Sequence, residues 1–134
     1  MKSLFPDDMV RGSELSIESI AAKLTYFHEQ LHILHWNTKS YAEHMALGAM
    51  YDYVHSFKDD VIEKIMGYCG CRVKDFKIDP ITSAAIPTTV VSNLITFAHD
   101  LKLWAAVNNY DDVGNMADSL SGEAAKCKYL LTLS

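Results

Sequence analysis

Apolar residues recur along this chain at three- and four-residue steps in four separate stretches. In the first, Ile17, Ile20, Ala21, Leu24, Phe27, Leu31 and Leu34 line one face, which predicts a helix of roughly six turns ending near Asn37. Ser16, followed by Glu18 and Ser19, supplies chemistry suited to its start. Thr38-Lys39-Ser40 interrupts the pattern, and Ser40 with Glu43 has the spacing of a capping box. A second helix, over residues 42 to about 67, carries Met45, Leu47, Met50, Tyr51, Val54, Phe57, Val61, Ile62 and Ile65. That band is broad enough to pack on more than one side, and Gly67, Cys69 and Gly70 mark a frayed end.

Residues 71–88 form the one long connection, interrupted by Asp79-Pro80 and Pro87, with Ile78, Ile81 and Ile86 available to tie it to the body. The third helix, capped by Thr88 or Thr89, carries Val91, Leu94, Ala98, Leu101 and Ala105, widened by Phe97 and Trp104. Asn108-Asn109 ends it, and Asp111 or Asp112 caps the fourth. There the stripe is Val113, Met116, Ala117, Leu120, Ala124, Cys127 and Leu131. No stretch alternates as a strand does. The expected fold is all-α: a four-helix bundle over residues 15–134, preceded by an irregular lead-in at 1–14. A break of three residues makes the first two helices antiparallel neighbours, and the long connection crosses over between helices two and three.

Composition narrows the functional classes. A chain of 134 residues, 49% hydrophobic, builds one domain with a real core. No apolar run is long enough for a membrane span, and the first residues have no apolar signal region. Three cysteines, Cys69, Cys71 and Cys127, read as reduced thiols in a cytoplasmic protein rather than as a disulfide framework. A net charge of −5 argues against nucleic acid as the main partner and draws cations to the surface.

The chemistry concentrates between His35 and Glu63. Asp59 and Glu63 stand one helical turn apart on one face, and Asp52, His55 and Asp59 run along nearly the same stripe. Asp60 competes with Asp59 for the place beside Glu63. His28, His32 and His35 flank the apolar stripe of the first helix. Carboxylates with imidazoles make an oxygen and nitrogen set suited to iron, manganese or zinc. The same residues also describe a solvated acidic face with boundary histidines. An intrachain two-metal site built on Glu29-x-x-His32 and Asp52-x-x-His55 is short of ligands, because helix three has no glutamate and helix four offers only Asp118 and Glu123.

Leu34-His35-Trp36-Asn37, then His44, Tyr51 and Asp59-Asp60-Val61-Ile62-Glu63-Lys64-Ile65, resembles the signature of the Dps proteins, the mini-ferritins. The resemblance covers about residues 24–67, and the rest of the chain matches as helix pattern alone. It implies a ferritin-like bundle and a ferroxidase site shared between subunits, with His35 and His44 from one chain and Asp59 and Glu63 from its two-fold partner. It further implies Fe(II) as the metal, hydrogen peroxide as the oxidant, and a homo-oligomer, dimeric at least and dodecameric in the complete shell. Trp36 would quench stray oxidising equivalents or pack at the dimer seam. The chain departs from the family in four ways: a shorter His35 to His44 interval, Gly48 where many members have an acid, at most the short 71–88 segment in place of the extra middle helix, and no lysine-rich arm. With only Lys2 and Arg11 basic in the first fourteen residues, direct DNA binding is expected to be weak. Two further readings stand beside this one: a non-enzymatic Dps-fold oligomer for assembly or partner binding, and the intrachain two-metal enzyme.

Overall fold

The computed structural model describes residues 15–134, so the lead-in expected at 1–14 lies outside the described residues. Four helices follow: α1 (Ile17–Asn37), α2 (Tyr41–Cys69), α3 (Pro87–Asn108) and α4 (Asp111–Leu131). There is no strand among the described residues. Helix α1 packs on α2 and α3, and α4 packs on α3 and α2, while the backbones of the two remaining pairs stay apart across the core. The helices therefore occupy the corners of a four-helix bundle. Near its end α2 meets the start of α4 through Lys64 and Asp112, and near its start it meets the end of α4 through Ala46 and Cys127, so these two run antiparallel.

The core is made by the stripes that the sequence marks. All the stripe positions of α1 and α3 are buried, and so are those of α4 except the half-buried Met116. In α2, Leu47, Met50, Val54, Phe57, Val61 and Ile65 are buried, while Tyr51 and Ile62 lie at the boundary and Met45 points outward. Each fully buried Leu, Ile or Val side chain contributes about 1.5–3 kcal/mol. Dozens of such contacts, not helix propensity, hold the bundle together.

Helix ends follow the expected chemistry in part. Ser16 and Ser19 cap α1 reciprocally, each hydroxyl accepting from the other's backbone N–H at 3.1 and 2.9 Å. Ser40 accepts from the Glu43 N–H at 3.2 Å, but its own N–H donates to the Thr38 hydroxyl, so only half of the expected box forms there. The caps expected for the other two helices are not made. Pro87 is the first residue of α3, after Ile86, because its ring presets the helical φ and it has no N–H to satisfy. Tyr110 precedes α4, and Asp111 and Asp112 fall in its first turn, where their charges complement the helix dipole. Gly70 and Asn109 end α2 and α3 in the left-handed conformation.

Residues 70–86 carry no helix. The isoleucines expected to anchor this connection do not, since Ile78, Ile81 and Ile86 are exposed. Polar groups hold it instead. The Lys74 N–H donates to the Glu18 carboxylate at 3.0 Å. Further on, Gln30 on α1, fully buried, donates to the Thr82 carbonyl at 2.8 Å and accepts from the Thr82 N–H at 2.9 Å. An amide that satisfies both backbone groups of one residue acts as a strand partner would, which is why a glutamine tolerates a core position.

The cysteines also differ from expectation. Cys69 and Cys71 are joined in a disulfide around Gly70, where the helix ends, and Cys127 alone is free and buried. Separation in sequence obscured this, because a one-residue gap becomes bridgeable only when the chain turns sharply, as it does at Gly70.

Candidate metal site

The break at residues 38–40 folds α1 back on α2 and brings His35 face to face with His44. Their rings are 3.8 Å apart and within 18° of parallel. His35 Nδ1 lies 2.7 Å from the His44 carbonyl oxygen, and His44 Nδ1 lies 2.9 Å from the His35 carbonyl oxygen. A carbonyl only accepts, so both Nδ1 atoms are the protonated donors and both Nε2 atoms are left with a lone pair. The His35 carbonyl sits in the last turn of α1, where helical partners run out, so the bond from His44 also closes that helix end. Tautomer and ring orientation are thus set by the backbone before any ligand arrives.

Gly48 completes this arrangement. A Cβ on residue 48 would stand 2.9 Å from His35 Cε1 and 3.1 Å from Nδ1, so an acid at this position has no space while the ring is there. The three-residue turn stacks the two imidazoles, and the stacked ring occupies the space that a side chain at residue 48 would need.

Around this pair the rings continue. His32 stacks on Tyr51 at 4.2 Å and on Trp36 at 4.0 Å, and Tyr51 also meets His35 at 5.2 Å and His28 at 5.6 Å. His28 in turn neighbours His55 at 5.1 Å. Five of the six histidines in the chain join one array on the outer face of the α1–α2 hairpin, centred on Tyr51. Burial, and then the neighbouring His28, push the His32 pKa down, against an opposing pull from Glu29, with His35 lowering it further. Trp36 is 65% exposed.

The acids lie at the other end of α2. Glu63 has its pKa raised first by the charge of Asp59, then by a side-chain hydrogen bond with it, and further by desolvation and the charge of Asp60. Two carboxylates one turn apart, each disfavouring the other's charge, form a site that a bound cation stabilises. Asp60 faces the other way: Lys64 pairs with it at 3.4 Å and with Asp112 at 2.6 Å. Asp59, not Asp60, is therefore the partner of Glu63. Asp52 is exposed on the same outer face.

His44 and Asp59 are fifteen residues apart on one helix, about 22 Å along its axis and about 60° around it. The histidine pair and the acid pair share a face, yet cannot bind one ion within one chain. Among the described residues no group of three or more His, Cys, Asp and Glu converges as a metal site. The intrachain set of Glu29, His32, Asp52 and His55 is likewise not gathered. Sequence reasoning missed Gln30 and the reciprocal bonding of the two histidines; a glutamine on an apolar stripe was the available signal for the first.

An all-helical four-helix bundle with a divided imidazole and carboxylate face is the class that fold and geometry define. Residues 35–131 match DUF5856, a family of unknown function, and the chain belongs to that family. No curated protein and no solved structure matches it. The family match begins at His35 and spans His44, Asp59 and Glu63. No described helix is long and apolar enough to cross a membrane.

Proposed function

We propose that the chain is a Dps-like ferroxidase that oxidises Fe(II) with hydrogen peroxide at sites shared between two copies, and stores or detoxifies the iron. The observation that carries this reading is the division of the ligands. His35 and His44 hold their Nε2 atoms free at one end of α2, and the carboxylates of Asp59 and Glu63 stand together at the other end, on the same face. In an antiparallel pair of α2 helices related by a two-fold near Tyr51 and Asp52, residue 44 of one chain lies level with residue 59 of the other. Such a dimer has two identical sites, each with two imidazoles and two carboxylates.

Iron enters as substrate. Imidazole nitrogen helps recruit Fe(II) and carboxylate oxygen favours Fe(III). One tetrahedral ion held by two imidazoles at about 2.0–2.1 Å would set the ring centroids ~5 Å apart. His35 and His44, at 3.8 Å, are too close for that, so each serves a separate ion. Two ions suit the reaction, in which two Fe(II) each give one electron to peroxide, the O–O bond breaks, and two protons complete two waters. Iron bound between Asp59 and Glu63 would also offset the mutual repulsion of their charges. The ferritin-like topology, with residues 70–86 as its crossover, belongs to the same proposal and is supported by the anchoring of that segment at Glu18 and then at Gln30. So do assembly as a homo-oligomer, up to a dodecameric shell, and a cytoplasmic setting.

The test is complementation. A His35→Gln/His44→Gln chain and an Asp59→Asn/Glu63→Gln chain should each be inactive in peroxide-dependent Fe(II) oxidation. Refolded together in equal amounts, they form one intact site per mixed dimer, and about a quarter of the wild-type rate should return. Two inactive proteins that stay inactive as a proven mixed dimer would leave a non-enzymatic oligomer as the better reading.

A further inference from the structure

We infer that His28 and His55 form a second, intrachain site for a single borderline divalent cation of the Zn2+, Ni2+ or Cu2+ class. This inference does not rest on the ferroxidase reading, and neither of its two ligands is among the four residues assigned to iron. His28 comes from α1 and His55 from α2, with ring centroids 5.1 Å apart. Two imidazoles on one tetrahedral ion at about 2.0–2.1 Å hold their centroids ~5 Å apart, so this pair has the chelating separation that the stacked His35 and His44 lack.

The supporting groups point the same way. His28 Nδ1 lies 3.0 Å from a Glu29 carboxylate oxygen. That bond makes Nδ1 the protonated nitrogen and leaves the lone pair on Nε2, as a carboxylate behind a metal-binding histidine does. The His28 side chain is only 14% exposed, so one ligand is held by packing, while His55 is exposed in the single chain, where it leaves the ion an access path from solvent. Tyr51 closes the inner side, with its ring 5.6 Å from that of His28. Asp52 and Asp59 flank His55 on α2, about one turn to either side, and their charge concentrates cations at the opening.

No third protein ligand converges among the described residues, so water fills the remaining positions and the site is open and exchangeable. Two neutral nitrogens select metals that favour imidazole; Mg2+ and Ca2+, which need oxygen ligands, are excluded. The occupied site would clamp α1 to α2 midway along the hairpin.

The experiment uses the full chain carrying His35→Gln and His44→Gln, which removes the other, half-buried imidazole pair. Titration calorimetry with ZnCl2 should show one ion per chain. Co2+ in its place should give the intense visible bands of a four-coordinate, nitrogen-bound ion. Adding His55→Gln, a change at an exposed position, should weaken Zn2+ binding tenfold or more, with helicity and melting temperature of the metal-free protein unchanged. Glu29→Gln should also weaken it about tenfold, since it acts through His28. Absence of Zn2+ binding in the parent, or binding that survives His55→Gln unaltered, would overturn the inference.

Discussion

Gly48→Ala should destabilise the protein, although alanine is the better helix former. Two effects compete. Within a helix, replacing Gly by Ala contributes about 0.8–1 kcal/mol of stability. Against this, the new Cβ arrives 2.9 Å from His35 Cε1, a distance that forces a shift. A long flexible side chain would swing aside at little cost, but this ring is stacked on His44 and bonded to its carbonyl. Overpacking of this kind costs about 1–3 kcal/mol. Loss of the Nδ1 hydrogen bond adds about 0.5–1.5 kcal/mol. The net expectation is a loss of about 1–3 kcal/mol, which lowers the urea midpoint by roughly 1 M for a protein of this size. Two controls fix the interpretation. Gly67, on the same helix, has nothing within 4 Å of its Cβ position, so Gly67→Ala should be neutral or stabilising. In a His35→Ala background the obstacle is gone, and Gly48→Ala should become stabilising. Equilibrium urea denaturation of the wild type and the four variants (Gly48→Ala, Gly67→Ala, His35→Ala and the double) measures all of this. A Gly48→Ala protein as stable as Gly67→Ala would refute the placement of His35 against α2.

Other expectations follow from single groups. Asp59→Asn removes the largest cause of the raised Glu63 pKa, so carboxyl titration followed by NMR should show Glu63 falling back toward its ordinary value, while Asp60→Asn moves it much less. Because the His32 pKa is depressed in the fold, its contribution to stability is present above pH 6.5, the unfolded value, and is lost as pH falls through the folded one; His32→Gln should flatten the stability profile in that acid range. Gln30→Ala strands the N–H and C=O of Thr82, at a cost of about 1–3 kcal/mol for each unsatisfied group, and should speed proteolysis within residues 70–86 before the helices are cut. The Cys127 thiol, with its pKa pushed up to about 11 by burial, should resist alkylation in the native protein and react on unfolding, whereas Cys69 and Cys71 should label once reduced.

The helices were legible because their stripes are continuous; positions such as Leu24, Val91 and Leu120 had to be inside in any folding of this pattern. Helix starts were less so. Thr88, Thr89, Asp111 and Asp112 are all good caps by residue type, and a proline or a helix dipole used the position differently. The connection was misread for a physical reason: isoleucine marks burial only where the backbone can also be satisfied, and there a buried glutamine satisfied it. At the candidate site, spacing left Asp59 and Asp60 in competition for Glu63, and the structure separates them, since Lys64 pairs with Asp60 while Asp59 is the stronger influence on Glu63. The mutual backbone bonding of His35 and His44 was invisible, because it depends on how tightly three residues can turn.

The distance between the two halves of the divided face has a consequence for dosage. Under the ferroxidase proposal a solitary chain holds every ligand and performs no chemistry, so the protein's own concentration acts as a control. Below the dissociation constant of the dimer the number of working sites scales with the square of total protein, because assembly itself follows mass action. Halving the supply then removes about three quarters of the capacity, and a substitution anywhere on the contact face silences iron oxidation with His35, His44, Asp59 and Glu63 all intact.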